Sequence, residues 1–129
     1  MFVTFKDLGR LGRLGNQLFQ IATVIGTARK HGCRAVLPPW PYQGYFAKPI
    51  PQSAAIPLAG EYREPSFHYS EIRITQSTSL VGFFQSEKYF KHCEGEVREC
   101  FSPHPELARQ IQARFGSLLA GKTCSVHVR

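Results

Sequence analysis

The stretch Gly12-Arg13-Leu14-Gly15-Asn16-Gln17-Leu18-Phe19-Gln20 lies between a short apolar run, Met1 to Phe5, and an amphipathic run, Leu18 to Arg29. It reads as a strand, a glycine-rich turn and a helix start. Such a turn lets bare backbone approach a ligand, and the helix N-terminus presents unpaired N–H groups to an anion. Arg13 adds a fixed positive charge. Asn16, the only asparagine in the chain, sits at the expected N-cap. The same spacing also suits a tight strand–helix turn that binds nothing.

Further along, Leu18, Ile21, Ala22, Ile25 and Ala28 recur at helical spacing, which predicts a helix from Asn16 to His31 with Gly32 as its C-cap. Arg34 to Leu37 reads as a short buried strand ended by Pro38-Pro39. The β-α-β order predicts an α/β fold, Rossmann-like, with a mainly parallel sheet, flanking helices and a single domain over residues 1–129. Seven of the nine prolines fall between Pro38 and Ser66, among Trp40, Tyr42, Tyr45 and Phe46. This reads as a long aromatic loop with one short helix, its rings pinned to the core rather than stacked on a ligand. Ser79 to Phe84 is a third strand, with a short helix from Glu87 to His92 after it. Pro105 to Leu119 is a second long helix, carrying Leu107, Ile111, Phe115 and Leu118 on one face. Thr123 to Val128 reads as a buried strand, so the chain is expected to be a fragment cut at the edge of a site.

The net charge is +7, from 16 Lys and Arg against 9 Asp and Glu. Arginine dominates the cations, which points to an anionic partner: a nucleotide, a polynucleotide or a membrane surface. Asp7 is the only aspartate, so no D-x-D or calcium loop can form and no metal site is expected. The four cysteines, at 33, 93, 100 and 124, have no C-x-x-C spacing and are expected as reduced, mostly buried thiols. With no apolar run of membrane-spanning length and no leader pattern, the chain is expected in the cytoplasm, with peripheral membrane association open to it.

Three further motifs carry chemistry. Gly116 to Thr123 matches the G-x-x-x-x-G-K-[ST] phosphate loop, but a helix precedes it and a strand is expected after it, the reverse of what that loop needs. Gly82-Phe-Phe-Gln-Ser-Glu-Lys-Tyr-Phe90 clusters polar groups at a strand end, with Glu87 a candidate general base and Lys88 a candidate anion ligand. Its plainer reading is a helix start, with Ser86 as N-cap. His127 and Arg129 alternate on the expected last strand and so share a face. The other histidines have no metal-ligand spacing.

Taken in order, these blocks resemble family 11 glycosyltransferases, the α-1,2-fucosyltransferases. That family opens with a strand and a G-x-L-G-N-Q-[LM] turn, matched by Gly12 to Leu18. It has a segment like Phe67-His68-Tyr69, and a G-[YF]-[FW]-Q-S-E-K-Y-F block matched by Gly82 to Phe90. Its H-V-R-R-G-D-Y motif begins at His127 and is cut after Arg129. The resemblance implies the N-terminal portion of a two-lobed GT-B enzyme, inverting and metal-independent. GDP-L-fucose would be the donor substrate, with no other cofactor, and a galactoside-terminated glycan the acceptor. Carried over, Arg129 holds the donor pyrophosphate, His127 supports it, and Arg13, Gly15 and Asn16 line the same cleft, with Glu87 and His127 the catalytic candidates. Phe83 stands where many members have tyrosine, and the doubled Gly-Arg-Leu leaves the register of Arg10 against Arg13 open. The alternative is a non-enzymatic basic module that binds nucleic acid or another polyanion. It accounts for the charge but not for the ordered blocks; the transferase reading expects no nucleic-acid partner.

Overall fold

The computed structural model describes residues 1–57, 59–126 and 128. Strands β1 (Phe2–Thr4), β2 (Arg34–Ala35), β3 (Gly60–Arg63) and β4 (Thr78–Val81) form one sheet in the order β2-β1-β4-β3. Every pairing is parallel: Val3 lies opposite both Ala35 and Thr78, and Tyr62 opposite Leu80. Parallel neighbours need a crossover. The first is the helix α1 (Leu14–Lys30); α2 (Glu94–Cys100) and α3 (Pro105–Leu119) follow the sheet. The chain is therefore an α/β fold with a parallel sheet and flanking helices.

Helix α1 is the centre of the core. From Gln20 to Ala28 every residue is buried, so the helix is enclosed all round rather than along one stripe. Val3 and Phe5, Leu80 and Phe84, and Ile21, Val24 and Ile25 join one apolar cluster. Each such aliphatic or aromatic side chain stabilises the fold by about 1.5–3 kcal/mol when fully buried. Gly26 shows why the enclosure closes. A Cβ there would collide with the Tyr89 carbonyl oxygen and come within 2.8 Å of the Phe90 Cα. The segment after β4 thus lies directly on the α1 backbone, pinned by His92, whose Nε2 bonds the Gly26 carbonyl at 3.0 Å.

Several expectations change. Asn16 is not the N-cap: α1 begins one turn earlier, with Arg13 as cap and Asn16 in the first turn. The second strand is not buried but lies at the sheet edge, with Arg34 exposed and Ala35 half-buried; it stops at Ala35, and Leu37 instead makes an isolated parallel bridge to Gln52. The third strand ends at Val81, because Gly82 and Phe84 take positive φ values of 153° and 52°. The aromatic loop holds its short helix as a 3-10 turn at Gln43–Tyr45, but also contains β3, which its Gly-Glu-Tyr-Arg sequence does not announce. The stretch 87–92 folds as two 3-10 turns, and α2 follows them.

The loop's main aromatic anchor is the core. Trp40 is buried, its Nε1 donates to Gln17 Oε1 at 2.9 Å, and it stacks on Phe46 at 5.4 Å. Tyr42 and Tyr45 stay exposed. The cysteines are all free, but only Cys100 is buried, with Cys33 and Cys93 half-buried and Cys124 exposed. Burial pushes the thiols of Cys33, Cys93 and Cys100 above the ordinary value, which keeps them protonated and inert.

Helix α3 spans the expected residues but buries none of them. Ile111 and Phe115 are exposed, Leu118 more so. The expected final strand is also absent: the described residues from Lys122 onward have no regular structure, and Val126 and Val128 are 82% and 85% exposed. An apolar run becomes a strand only where a neighbour pairs its N–H and C=O groups, and no sheet edge takes up this one.

Two outcomes follow from the packing. Gly26→Ala should lower stability by about 1–3 kcal/mol, whereas Gly95→Ala, whose new methyl meets nothing within 4 Å, should be neutral or stabilising. Urea unfolding of both variants checks this. The second concerns acid. Arg29 grips Glu96 through two hydrogen bonds of 2.7 and 2.6 Å, tying the end of α1 to α2. Those bonds hold the Glu96 carboxyl below its ordinary value of 4.5. The pair's contribution is full above that value and is lost as the pH falls through the lower folded one. In unfolding midpoints measured between about pH 6 and pH 3, Glu96→Gln should start lower and show a flatter acid decline.

Candidate functional site

In a parallel sheet, loops leaving the C-terminal strand ends gather on one edge, where open α/β sheets bind ligands. Here β1, β4 and β3 are adjacent, and the segments that follow them are Phe5 to Arg13, Gly82 to Phe84 and Glu64. Two side chains, one buried and one half-buried, bind these segments together.

The first is Gln20. It is fully buried, and its Nε2 donates to the Leu11 carbonyl at 3.0 Å and to the Gly82 carbonyl at 3.1 Å. One amide thus joins the glycine-rich turn to the turn after β4. Its Oε1 has no partner among the described residues. Gln17, one turn earlier, accepts from the Trp40 indole and donates to the Gly12 carbonyl at 3.4 Å. The second clamp is Glu64. Its carboxylate accepts from Phe83 N–H at 2.8 Å and from Phe84 N–H at 3.0 Å. Phe84 is the only non-glycine residue with positive φ among the described residues. The two N–H bonds to a carboxylate offset that backbone strain. Phe84 is completely buried and packs edge-on against Phe5 at 6.4 Å.

Within the turn, Gly12 has φ 79°, and a Cβ there would come within 2.6 Å of the Asn16 Cβ. Asn16 Oδ1 accepts from Arg13 N–H at 3.0 Å, half of a capping box. Arginine offers no acceptor, so no side chain caps the first-turn N–H groups of α1, and no acidic residue lies in that turn. Arg13 and Gly15 are exposed, Asn16 half-buried. Arg10 is turned aside onto Asp7 at 3.4 Å, which leaves Arg13 as the cation at the helix start.

Of the sequence-derived candidates, Arg13, Gly15 and Asn16 therefore share this edge. Glu87 is exposed and pairs with Lys91 at 3.2 Å, not with any residue of the turn. Ser86 caps its 3-10 turn, accepting from Lys88 N–H at 3.4 Å. His127 and Arg129 lie outside the described residues. The strand meant to carry them is absent over 123–126, so no strand end meets the turn there. Gly116 to Thr123 is a helix end, as expected, but it runs into irregular chain rather than a strand. Among the described residues, no group of three or more His, Cys, Asp or Glu could hold a metal ion. No described helix is long and apolar enough to cross a membrane.

Two blocks far apart in sequence do meet. Phe67 stacks on Phe83 at 6.2 Å, Tyr69 packs at a tilt against Tyr89 at 4.9 Å, and Lys88 sits 5.8 Å over the Tyr69 ring. The residues that sequence reasoning missed are Gln20, inside the turn motif but given no role, and Glu64. Glu64 had one legible signal: it is an acid directly before Pro65, at the end of the aromatic loop.

The charge is also distributed in a telling way. Among the described residues, every carboxylate except Glu64 forms an ion pair. The cations left over, Arg13, Arg34, Lys88, Arg114 and Lys122, come from separate stretches of the chain.

No family model matches this chain, and no solved structure matches it. It is similar to galactoside alpha-(1,2)-fucosyltransferase 1 from Homo sapiens, with 30% identity over 135 residues, covering 92% of this chain and 37% of that protein. The same enzyme from Pan troglodytes is 30% identical over 137 residues, and that from Gorilla gorilla gorilla 29% over 135. The chain is a distant relative of these fucosyltransferases. It spans about 37% of their length.

The clamp predicts a measurable cost. Glu64→Gln keeps one acceptor oxygen but loses the charge, and should destabilise by about 1.5–3 kcal/mol. Glu64→Ala should cost more, since it leaves both N–H groups without their acceptor. Thermal or urea unfolding checks both.

Proposed function

We propose that this chain is part of a fucosyltransferase that moves L-fucose from GDP-L-fucose to the 2-hydroxyl of a terminal galactoside, with inversion and without a metal ion. The observation that carries this reading is the similarity over 92% of the chain to galactoside α-1,2-fucosyltransferases. The arrangement of the turn supports it. As the acceptor oxygen bonds to the fucose anomeric carbon, the bond from that carbon to the diphosphate breaks and GDP leaves with the electron pair. Negative charge grows on the leaving group. Uncapped N–H groups at the start of α1, with Arg13 beside them, stabilise such charge most in the transition state.

In this reading Arg13, Gly15 and Asn16 line the donor cleft and Arg129 grips the pyrophosphate with His127 in support, while Glu87, paired with Lys91 away from the turn, is given no step.

The test uses the chain extended to the length of its relatives. Transfer from GDP-fucose to a β-galactoside is followed by GDP release. Arg13→Ala should lower kcat/KM about tenfold or more and Arg129→Ala about a hundredfold, with Arg129→Lys only partly restored. Arg10→Ala should change little, because Arg10 is turned onto Asp7. No transfer from GDP-fucose would overturn the reading; wild-type turnover in Arg13→Ala would remove the turn from the donor site.

A further inference from the structure

A cavity of about 410 Å³ opens on the C-terminal half of α1, lined by Thr27 and Lys30, by Tyr69 and Ile72 before β4, and by Lys88, Tyr89 and His92 after it. It is remote from the glycine-rich turn. Thr27 lies fourteen residues along α1 from Arg13, about 20 Å at 1.5 Å per residue. Its walls are the two blocks brought together by Tyr69 and Tyr89. No carboxylate lines it. Lys30 is already held by Glu71 at 2.9 Å, outside the lining. Lys88 has no carboxylate partner among the described residues, and the Tyr69 ring keeps its ammonium at the cavity wall.

The remaining polar groups are set to receive hydroxyls. The Tyr89 oxygen accepts from Ser70 N–H at 3.2 Å, which leaves its own proton free to donate. Burial pushes that phenol's pKa up, so the proton stays. His92 uses Nε2 on the Gly26 carbonyl, which leaves Nδ1 as an acceptor in the neutral ring. Four of the carbonyls at the end of α1 already have donors, which limits the negative field they turn on an anion here. His92 takes that of Gly26, and backbone N–H groups take those of Thr27, Ala28 and Arg29. Ile72 and the tyrosine rings supply apolar wall beside these groups. The space is several times larger than an inorganic oxyanion needs.

We propose that this cavity is a second binding site, for a saccharide of one or two rings that bears an oxyanion. Lys88 pairs with the oxyanion, while Tyr89 and His92 bond ring hydroxyls against the apolar wall. The proposal uses none of the residues assigned to the donor, so it stands or falls apart from the transfer reading.

The experiment is a chemical-shift titration of the labelled chain with galactose 6-sulfate, galacturonate, galactose and inorganic sulfate. Binding by either charged sugar in the millimolar range, with shifts confined to Tyr69–Ile72, Lys88–His92 and the end of α1, supports the site. The tighter of the two identifies the oxyanion. Lys88→Met, a change at an exposed position that the fold tolerates, should weaken that binding about tenfold, and Arg13→Ala should leave it unchanged. Galactose binding as tightly as the charged sugars would overturn the role of the anion. Sulfate binding as tightly as galactose 6-sulfate would overturn the role of the sugar. Unaltered affinity in Lys88→Met, or no binding by either charged sugar, would overturn the proposal outright.

Discussion

One side-chain amide holds the working edge of this molecule together. Gln20 donates to Leu11 on one side and to Gly82 on the other, from a position with no solvent exposure. Both carbonyls belong to half-buried residues and accept from this one amide, a contribution of about 0.5–1.5 kcal/mol for each bond. Because β1 and β4 are neighbours in the sheet, their exits emerge side by side, and a single glutamine spans them. The turn's position, the direction of α1 and the departure of the segment after β4 all depend on that bridge. A leucine of similar size would fill the space but leave both carbonyls unpaired.

Glu64 plays the complementary part from β3. The other carboxylates pair with a cation on exposed surface, and exposed pairs contribute little apiece. Glu64 instead anchors backbone N–H groups at the one strained non-glycine residue. Two kinds of acid thus coexist here. The paired set balances a basic chain and ties helix ends to neighbouring segments, while the single exception shapes a turn. The net excess of +7 survives in scattered cations. Two of them, Arg13 at the start of α1 and Lys88 at a cavity wall, have no carboxylate partner among the described residues, and these are the two places argued above to take anions.

Helix α3 is the outlying element. Its caps are sound: the His104 ring accepts from Glu106 N–H, and Pro105 opens the first turn. Its apolar residues are nevertheless open to water. Local signals were enough to start and stop this helix, but a helix gains its place in a fold from a partner surface. Phe46 and Pro103 bridge the chain just before it, and Phe101 packs on Phe46 at 5.7 Å, so the approach to α3 is fixed although its own face is not covered.

The sequence by itself determined the β-α-β opening, the bounds of α3 and the glycine-rich turn, because each rests on local rules. Periodicity fixes a helix, proline and glycine fix its ends, and positive φ needs glycine at Gly12. The pinning of Trp40 followed from the same kind of reasoning, since an indole is costly to leave in water. The sequence could not show that Arg13 rather than Asn16 caps α1, because the choice turns on where the Asn16 side chain bonds once the turn is closed. Nor could it show β3. Gly60 to Arg63 has no strand character of its own and becomes a strand only because β4 offers it four partners in register. The described residues 123–126 are the converse case: a strand-like sequence that takes no regular structure. Tertiary structure alone decided the roles of Gln20 and Glu64 and the meeting of Tyr69 with Lys88 and Tyr89. Each joins residues many positions apart, and such contacts leave no periodic mark in a single chain.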